Sequence, residues 1–401
     1  MEVTRPVTVA EVSAALREAA GAGLTVRARG GGTRSGWGPP VPDPDLLLDL
    51  SGLELDGGQG SSGRRVEHAA GDMVVRVAAG VPLVVLAREL AAAGQQFALD
   101  LPSYDDGTVL TDATVGGALA VGVAGPRRLR YGRPRDLLLG VTMVRADGVV
   151  ANSGGRVVKN VAGYDLGKLL TGSYGTLGVI VSATLRLHPV PPARAWVTAS
   201  LPDPAAAYRC VTALLASQVA VSAVEVDRPA GAGAVSVAAL LEGTASGVAA
   251  RAADTAALAG GEVAPEPPAW FGRWPGAPDG TLIEVRVPPA DLAGTLDAVA
   301  AAAGAAGVAA PVRGSAGAAT LYLGLPAGTD PAAVGRLVSR LRSALAAGRG
   351  YAVVRHAPPS VAATVDFWGP VDPGALALMR RVKDQFDPEH RLAPGRFAGG
   401  I

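Results

Sequence analysis

Two hydrophobic rhythms alternate along the chain, one with the spacing of helices and one with that of strands. Apolar residues recur at helical spacing over 10–20, behind the capping box Thr8-Val9-Ala10-Glu11, and Gly21 and Gly23 close that segment. Short apolar runs at 24–28, 46–50, 66–69 and 73–77 predict strands, the last two joined at Gly71-Asp72. Helical spacing returns over 81–93, with Pro82 in the first turn and Gly94 as a stop. Residues 101–114, rich in Pro, Asp, Gly and Thr, predict a long irregular stretch. Two β-rich runs, 138–145 and 149–152, flank Asp147-Gly148 and predict a hairpin. Beyond 190 the rhythm changes. Strands predicted at 196–201, 223–226, 235–240, 281–287, 320–325 and 351–355 alternate with helices at 204–216, 290–303 and 331–346. This alternation predicts an antiparallel sheet backed by helices.

Composition adds exclusions. The chain of 401 residues is 49% hydrophobic and carries 36 basic against 35 acidic residues, so no electrostatic case for nucleic acid arises. Cys210 is the single cysteine, which excludes an internal disulfide and a Cys-ligated iron–sulfur cluster within this chain. The four histidines lack metal-ligand spacing, and no metal site is expected. The N-terminal residues lack a signal-peptide pattern, and the longest apolar run, 298–310, is interrupted by Gly304 and Gly307. No transmembrane segment and a cytoplasmic location are therefore expected.

Three glycine clusters carry the candidate chemistry. The first, Arg29-Gly30-Gly31-Gly32-Thr33-Arg34-Ser35, follows the predicted strand 24–28. Glycines admit positive φ and remove Cβ atoms between main chain and ligand, so successive N–H groups can surround an anion such as a pyrophosphate. The second runs from Thr114 through Gly116, Gly117 and Gly122 to Gly125, then reaches Tyr131-Gly132. The third spans 154–180. Three near-matches are rejected. Gly58-Gln59-Gly60-Ser61-Ser62-Gly63 is followed by a predicted strand rather than the helix a dinucleotide fingerprint needs. Gly163 to Lys168 is one residue short of a phosphate loop, and Thr171-Gly172-Ser173-Tyr174-Gly175 lacks the first glycine of a nucleophile elbow.

Residues 1–190 resemble the PCMH-type FAD-binding domain of the vanillyl-alcohol-oxidase-like flavoproteins, through 29–35, 114–125 with Arg130-Tyr131-Gly132, and 172–180. Val158-Lys159-Asn160-Val161-Ala162-Gly163-Tyr164-Asp165 is similar to the GlcE-type FAD subunit of bacterial glycolate oxidase, and 382–396 resembles the closing segment of the same family. The resemblance implies an α+β fold: a two-subdomain FAD-binding domain at 1–190, an antiparallel-sheet α+β cap at 191–360, and a segment at 361–401 that returns to the first domain. It implies that FAD contacts Arg29, Gly30, Gly31, Gly32, Thr33, Arg34, Ser35, Pro102, Thr114, Gly116, Gly117, Gly122, Gly125, Tyr131, Gly132, Asn160, Gly163, Tyr164, Gly178, Val179 and Ile180.

Relatives that attach FAD covalently use a His or Cys in these loops. The glycine loop has neither, so FAD is expected to be non-covalent. The family's closing Phe-Asn-Pro-Gly reads Leu392-Ala393-Pro394-Gly395 here. The implied activity is hydride transfer from a 2-hydroxy acid to FAD, with electrons passed to a second flavoprotein subunit and an iron–sulfur subunit. Any membrane association would be peripheral and carried by those partners. The alternatives are a non-catalytic electron-transfer subunit and a stand-alone alcohol or sugar oxidase. No catalytic base is named by the sequence; His356, Arg355 and Arg396 are the candidates near the return from the cap.

Overall fold

The computed structural model describes residues 1–56, 63–105, 107, 110–155, 165–346, 348 and 350–401. Thr8 begins the first helix as its capping box requires. Its hydroxyl accepts from the Glu11 amide at 3.2 Å while the Glu11 carboxylate accepts from the Thr8 amide at 3.4 Å. The helix runs Val9–Ala22 and ends at Gly23, whose φ of 69° is left-handed. It buries Val9, Val12, Leu16 and Ala19 in the core that covers a small parallel sheet. In that sheet Leu46–Asp49 lies between Glu2–Thr4 and Val26–Arg29, and all four of its residues are buried. The outer edge of Val26–Arg29 receives the far end of the chain. The Val26 amide donates to the Arg391 carbonyl, and the Ala393 amide donates to the Val26 carbonyl, both at 2.9 Å.

A second sheet is antiparallel and has five strands, in the order Val66–Ala69, Val74–Ala78, Val179–Arg186, Leu138–Val144, Val150–Gly154. The Asp147-Gly148 hairpin forms, with Gly148 at φ 79°. Leu83–Ala91 and Val115–Val121 supply Leu86, Leu90, Val115 and Leu119 to its core.

The third sheet is antiparallel and has eight strands. Their order is Glu262–Ala264, Ala193–Leu201, Val235–Gly243, Ala223–Arg228, Val312–Ser315, Thr320–Leu325, Thr281–Arg286, Tyr351–His356. Helices Pro204–Ala216, Ala245–Ala259, Leu292–Ala306 and Pro331–Ala346 contribute Leu214, Ala252, Leu296 and Leu337 to the core on one face. Strand residues alternate between faces. Val224, Val226, Leu241, Ile283, Leu321 and Val354 join that core, while the alternate positions Glu225, Asp227, Glu242, Glu284, Arg313 and Arg355 are buried on the opposite face. A charged face is thus covered by the rest of the chain.

The expected α+β class and helix-backed antiparallel sheet are present. The predicted helices 204–216 and 331–346 match the observed bounds. The third is displaced to Leu292–Ala306: Pro289–Asp291 forms a 3-10 turn, and Gly304 stays inside the helix while Gly307 takes the left-handed cap at φ 71°. The strands Val312–Ser315 and Glu262–Ala264 and the helices Ala245–Ala259 and Pro373–Phe386 were not predicted. Within 101–114, Ser103–Tyr104 forms a short strand parallel to Arg273–Trp274. Among the described residues, no helix is long and apolar enough to cross a membrane.

Candidate functional site

A groove opens where the strand Val26–Arg29 ends. The glycine loop forms one wall, Thr114 and Gly117 with Ala120 form the second, and Tyr174, Gly175, Gly178 and Ile180 form the third. The loop uses its glycines in two ways. Only Gly32 of the three has a positive φ, 74°. A Cβ on Gly30 would lie 2.1 Å from Thr114 Oγ1, and one on Gly31 would lie 1.6 Å from the Asp112 carbonyl oxygen. Gly30 and Gly31 therefore let the first two walls touch, which the sequence reading had assigned to ligand approach. Thr114 in turn caps the helix Val115–Val121, accepting from the Gly117 amide at 3.2 Å. Gly116 holds that helix to the second sheet: its amide donates to the Ala79 carbonyl at 2.8 Å.

The groove is basic. Arg27, Arg29, Arg34 and Arg396 line it, and among the described residues no carboxylate does. Asp49, behind it, pairs with Arg29 at 2.8 Å. Burial raises the Asp49 carboxyl pKa, but hydrogen bonds from Arg29 and Ser51 outweigh this and leave it at about 2. Arg396 donates to the Ser35 carbonyl at 2.7 Å. Burial brings Arg34 and Arg396 down to about 10, so both remain cationic at neutral pH. The amides of Gly31, Thr33 and Arg34 find no acceptor among the described residues. Amides without acceptors among the described residues, in a groove lined by cations, suit an anionic dinucleotide such as FAD.

One end of the groove meets the charged face of the large sheet. Tyr174, at φ 58°, accepts from Arg355 Nη1 at 2.6 Å. Arg355 Nε and Nη2 donate to Glu284 Oε2 at 3.0 and 2.8 Å. Burial opposes ionisation of Glu284, yet Arg355 and Arg286 hold its carboxyl well below the usual carboxylate range. The Gly38 amide donates to the Arg355 carbonyl at 2.8 Å, which ties the glycine loop's far end to the strand Tyr351–His356. Elsewhere on this face Arg313 Nε donates to Asp227 at 2.7 Å and also pairs with Asp105. Tyr131 donates to Glu242 Oε2 at 2.9 Å.

The catalytic candidates are all engaged. Arg355 and Arg396 are bonded as described. His356 Nδ1 faces the Gly280 carbonyl at 2.9 Å, and Nε2 faces the Tyr104 hydroxyl at 2.8 Å. A proton on Nδ1 satisfies the carbonyl and leaves Nε2 to accept from Tyr104. Burial lowers the His356 pKa to about 4, so the ring is neutral at pH 7. Among the described residues, no group of three or more His, Cys, Asp or Glu is placed to hold a metal ion.

Of the residues implied to touch FAD, 29–35, Thr114, Gly116, Gly117, Gly178 and Ile180 line the groove. Pro102, Gly122, Gly125, Tyr131, Gly132 and Val179 lie outside its walls. Gly122 is the left-handed cap of Val115–Val121. Gly125 packs so closely that a Cβ would lie 2.3 Å from the Asp100 carbonyl oxygen. Tyr131 packs against His188 with the rings tilted and their centroids 4.8 Å apart. Asn160, Gly163 and Tyr164 fall outside the described residues. Sequence reasoning did not place Tyr174, Ala120 and Arg27 in the groove, although Tyr174 sits inside the third glycine cluster.

Ala393, where the resembled family carries Asn, has φ 44°. Asn tolerates this left-handed region better than Ala. Ala393→Gly is expected to raise stability by about 0.5–1 kcal/mol, read from the denaturant midpoint; a fall would show that its buried methyl outweighs the backbone term.

Residues 2–154 match the family described as FAD binding domain, and residues 369–397 match that described as FAD linked oxidases, C-terminal domain. The chain is 40% identical to glycolate oxidase subunit GlcE of Escherichia coli (strain K12), over 31% of this chain and 35% of that protein. It is 36% identical to a D-lactate dehydrogenase of Archaeoglobus fulgidus, over 47% of this chain and 38% of the relative. These matches span little more than a third of either relative's length. An uncharacterized FAD-linked oxidoreductase of Mycobacterium tuberculosis (strain ATCC 25618 / H37Rv) aligns along 98% of this chain and 90% of its own length at 29% identity. A solved alkyldihydroxyacetonephosphate synthase shares the fold, with a TM-score of 0.68 at 15% identity, covering 98% of this chain and 76% of that one. The glycine loop and the Thr114 wall accordingly lie in the stretch that matches an FAD binding domain, and the segment that closes beside them lies in the stretch that matches the C-terminal domain of FAD linked oxidases.

Proposed function

We propose that this chain is an FAD-dependent oxidoreductase of the glycolate oxidase or D-lactate dehydrogenase type, acting on a 2-hydroxy acid and passing electrons to a partner. One observation carries the reading: a basic groove walled by three glycine-bearing loops ends against the charged face of an antiparallel sheet. Bound FAD supplies hydride acceptance. The chain's own residues do the rest. The free amides of Gly31 and Thr33, with Arg27 and Arg29, hold the pyrophosphate. The small residues Gly117 and Ala120 keep the second wall low. Tyr174, fixed by Arg355 and Glu284, closes the end nearest the sheet. The loop holds no His or Cys, which supports non-covalent attachment. The likeness to a glycolate oxidase subunit supports a multi-subunit assembly, with any iron–sulfur centre on another chain.

A second reading has its own support. His356 is neutral, buried and bonded on both ring nitrogens, so it offers no free base to a substrate hydroxyl. This favours a flavin-bearing electron-transfer subunit. The visible spectrum of the purified chain separates the two. Bleaching of the flavin bands on anaerobic addition of glycolate or D-lactate is expected from the first reading. Flavin bands that persist with both acids would favour the second, and a chain that takes up no FAD after reconstitution would overturn both.

A further inference from the structure

Arg34 stands apart from the other cations of the groove. It is only 7% exposed, and its Nε and Nη2 have no hydrogen-bond partner among the described residues. These two nitrogens form one edge of the guanidinium, the edge that meets a carboxylate with two parallel hydrogen bonds. A buried guanidinium with that edge unpaired is unfavourable unless something else supplies the acceptor.

The surroundings fix the place of the guanidinium. The guanidinium carbon lies 5.4 Å from the Trp37 ring and 5.6 Å from the Trp274 ring, and the two rings are 5.3 Å apart. Both contacts fall in the range of cation–π attraction. Trp274 is fully buried and packs on Tyr104 at 5.1 Å and Tyr322 at 6.0 Å. Arg34 therefore reaches the aromatic residues that pack against the sheet. It shares this corner with Arg355, whose guanidinium lies 5.8 Å from the Trp37 ring and is already committed to Glu284 and Tyr174. Arg27 and Arg29 also line the groove.

We propose that Arg34 anchors the carboxylate of a small 2-hydroxy acid at the corner where the groove meets the sheet, with Trp37 and Trp274 holding its guanidinium in place. This rests on the oxidoreductase reading above and adds the residue that selects for an acid over a neutral alcohol. Arg34 acts by binding and orienting; no proton or electron passes through it.

Trp37 and Trp274 also provide the readout. Oxalate, a small carboxylate that cannot be oxidised as a 2-hydroxy acid, is titrated into the full chain with and without FAD while tryptophan fluorescence is followed. A saturable change is expected in the wild-type chain. Arg34→Gln is expected to weaken oxalate binding to the FAD-free chain by at least about tenfold, the loss of a charge-assisted pair. Arg34→Lys keeps the charge but not the fork and should fall between them, which keeps the proposal testable should the Gln variant misfold. Equal oxalate affinity in the wild type and either folded variant would overturn it. So would a wild-type chain with no response to oxalate. Loss of FAD from the variants with oxalate affinity intact in the flavin-free chain would assign Arg34 to the pyrophosphate instead, and would also overturn it. Flavin uptake by the wild type is read separately from its absorbance, so failure of the oxidoreductase reading shows there and not in the oxalate titration.

Discussion

Gly31→Val yields a folded chain that no longer retains FAD. The missing side chain at this position is what allows the glycine loop and the Asp112–Thr114 wall to meet: a Cβ would lie 1.6 Å from the Asp112 carbonyl oxygen and 2.5 Å from its carbon. Those are backbone atoms and cannot swing aside as a flexible side chain would. The two walls must separate, and the amides of Gly31 and Thr33 lose their common aim. A weakening of FAD binding by about 100-fold or more corresponds to ~2.7 kcal/mol, the scale of two lost charge-assisted hydrogen bonds. Flavin content per folded chain, with circular dichroism to confirm folding, measures it. Stoichiometric FAD in the folded variant would remove the groove as the pyrophosphate site.

Asp387→Ala is the second large effect, and it acts on stability. Lys383 and Asp387 are both buried on the helix Pro373–Phe386 and its exit. Lys383 Nζ donates to Asp387 Oδ2 at 2.6 Å, to the Thr176 carbonyl at 2.8 Å and to the Leu392 carbonyl at 3.0 Å. Asp387 also accepts from the amides of Arg391 and Leu392, at 3.1 and 2.7 Å. Burial depresses the Lys383 pKa and the Asp387 carboxylate opposes that, so removing the carboxylate leaves an uncompensated buried ammonium and two orphaned amides. Breaking such a pair costs about 3–5 kcal/mol. The unfolding midpoint should drop accordingly, and the third groove wall, which Thr176 helps to fix, should loosen with it. A midpoint within error of the wild type would show that the clamp is dispensable.

The sequence made some of this visible and hid the rest for identifiable reasons. The Thr8–Glu11 capping box and the Asp147-Gly148 hairpin were legible because each is decided by neighbours a few residues apart. The strand Val312–Ser315 was not, because it carries Arg313 and Gly314 at buried positions. Arg313 is tolerated there only because Asp227 and Asp105 meet it from distant parts of the chain. The helix Ala245–Ala259 buries Val248, Ala252, Thr255 and Ala259, a face too weakly hydrophobic to stand out in an Ala-rich chain, although Thr244 and Gly260 cap it. The glycine loop was visible as a candidate site, but the partners of Gly30 and Gly31 were not, since Thr114 and Asp112 lie some 80 residues away. The place of Trp274 beside Arg34 was not legible, because it depends on the pairing of Arg273–Trp274 with Ser103–Tyr104.

The bond between Val26 and residues 391–393 also sets a schedule for the making of the protein. A ribosome delivers the glycine loop hundreds of residues before it delivers the segment that completes the adjoining sheet edge. Until residues 383–396 have emerged, Val26–Arg29 presents an unpaired edge, Thr176 lacks the Lys383 ammonium, and Ser35 lacks Arg396. Such long-range closure folds late, and the open edge is exposed to mispairing while it waits. The groove is therefore finished only near the end of synthesis, which makes uptake of the cofactor a late event in the life of each new chain.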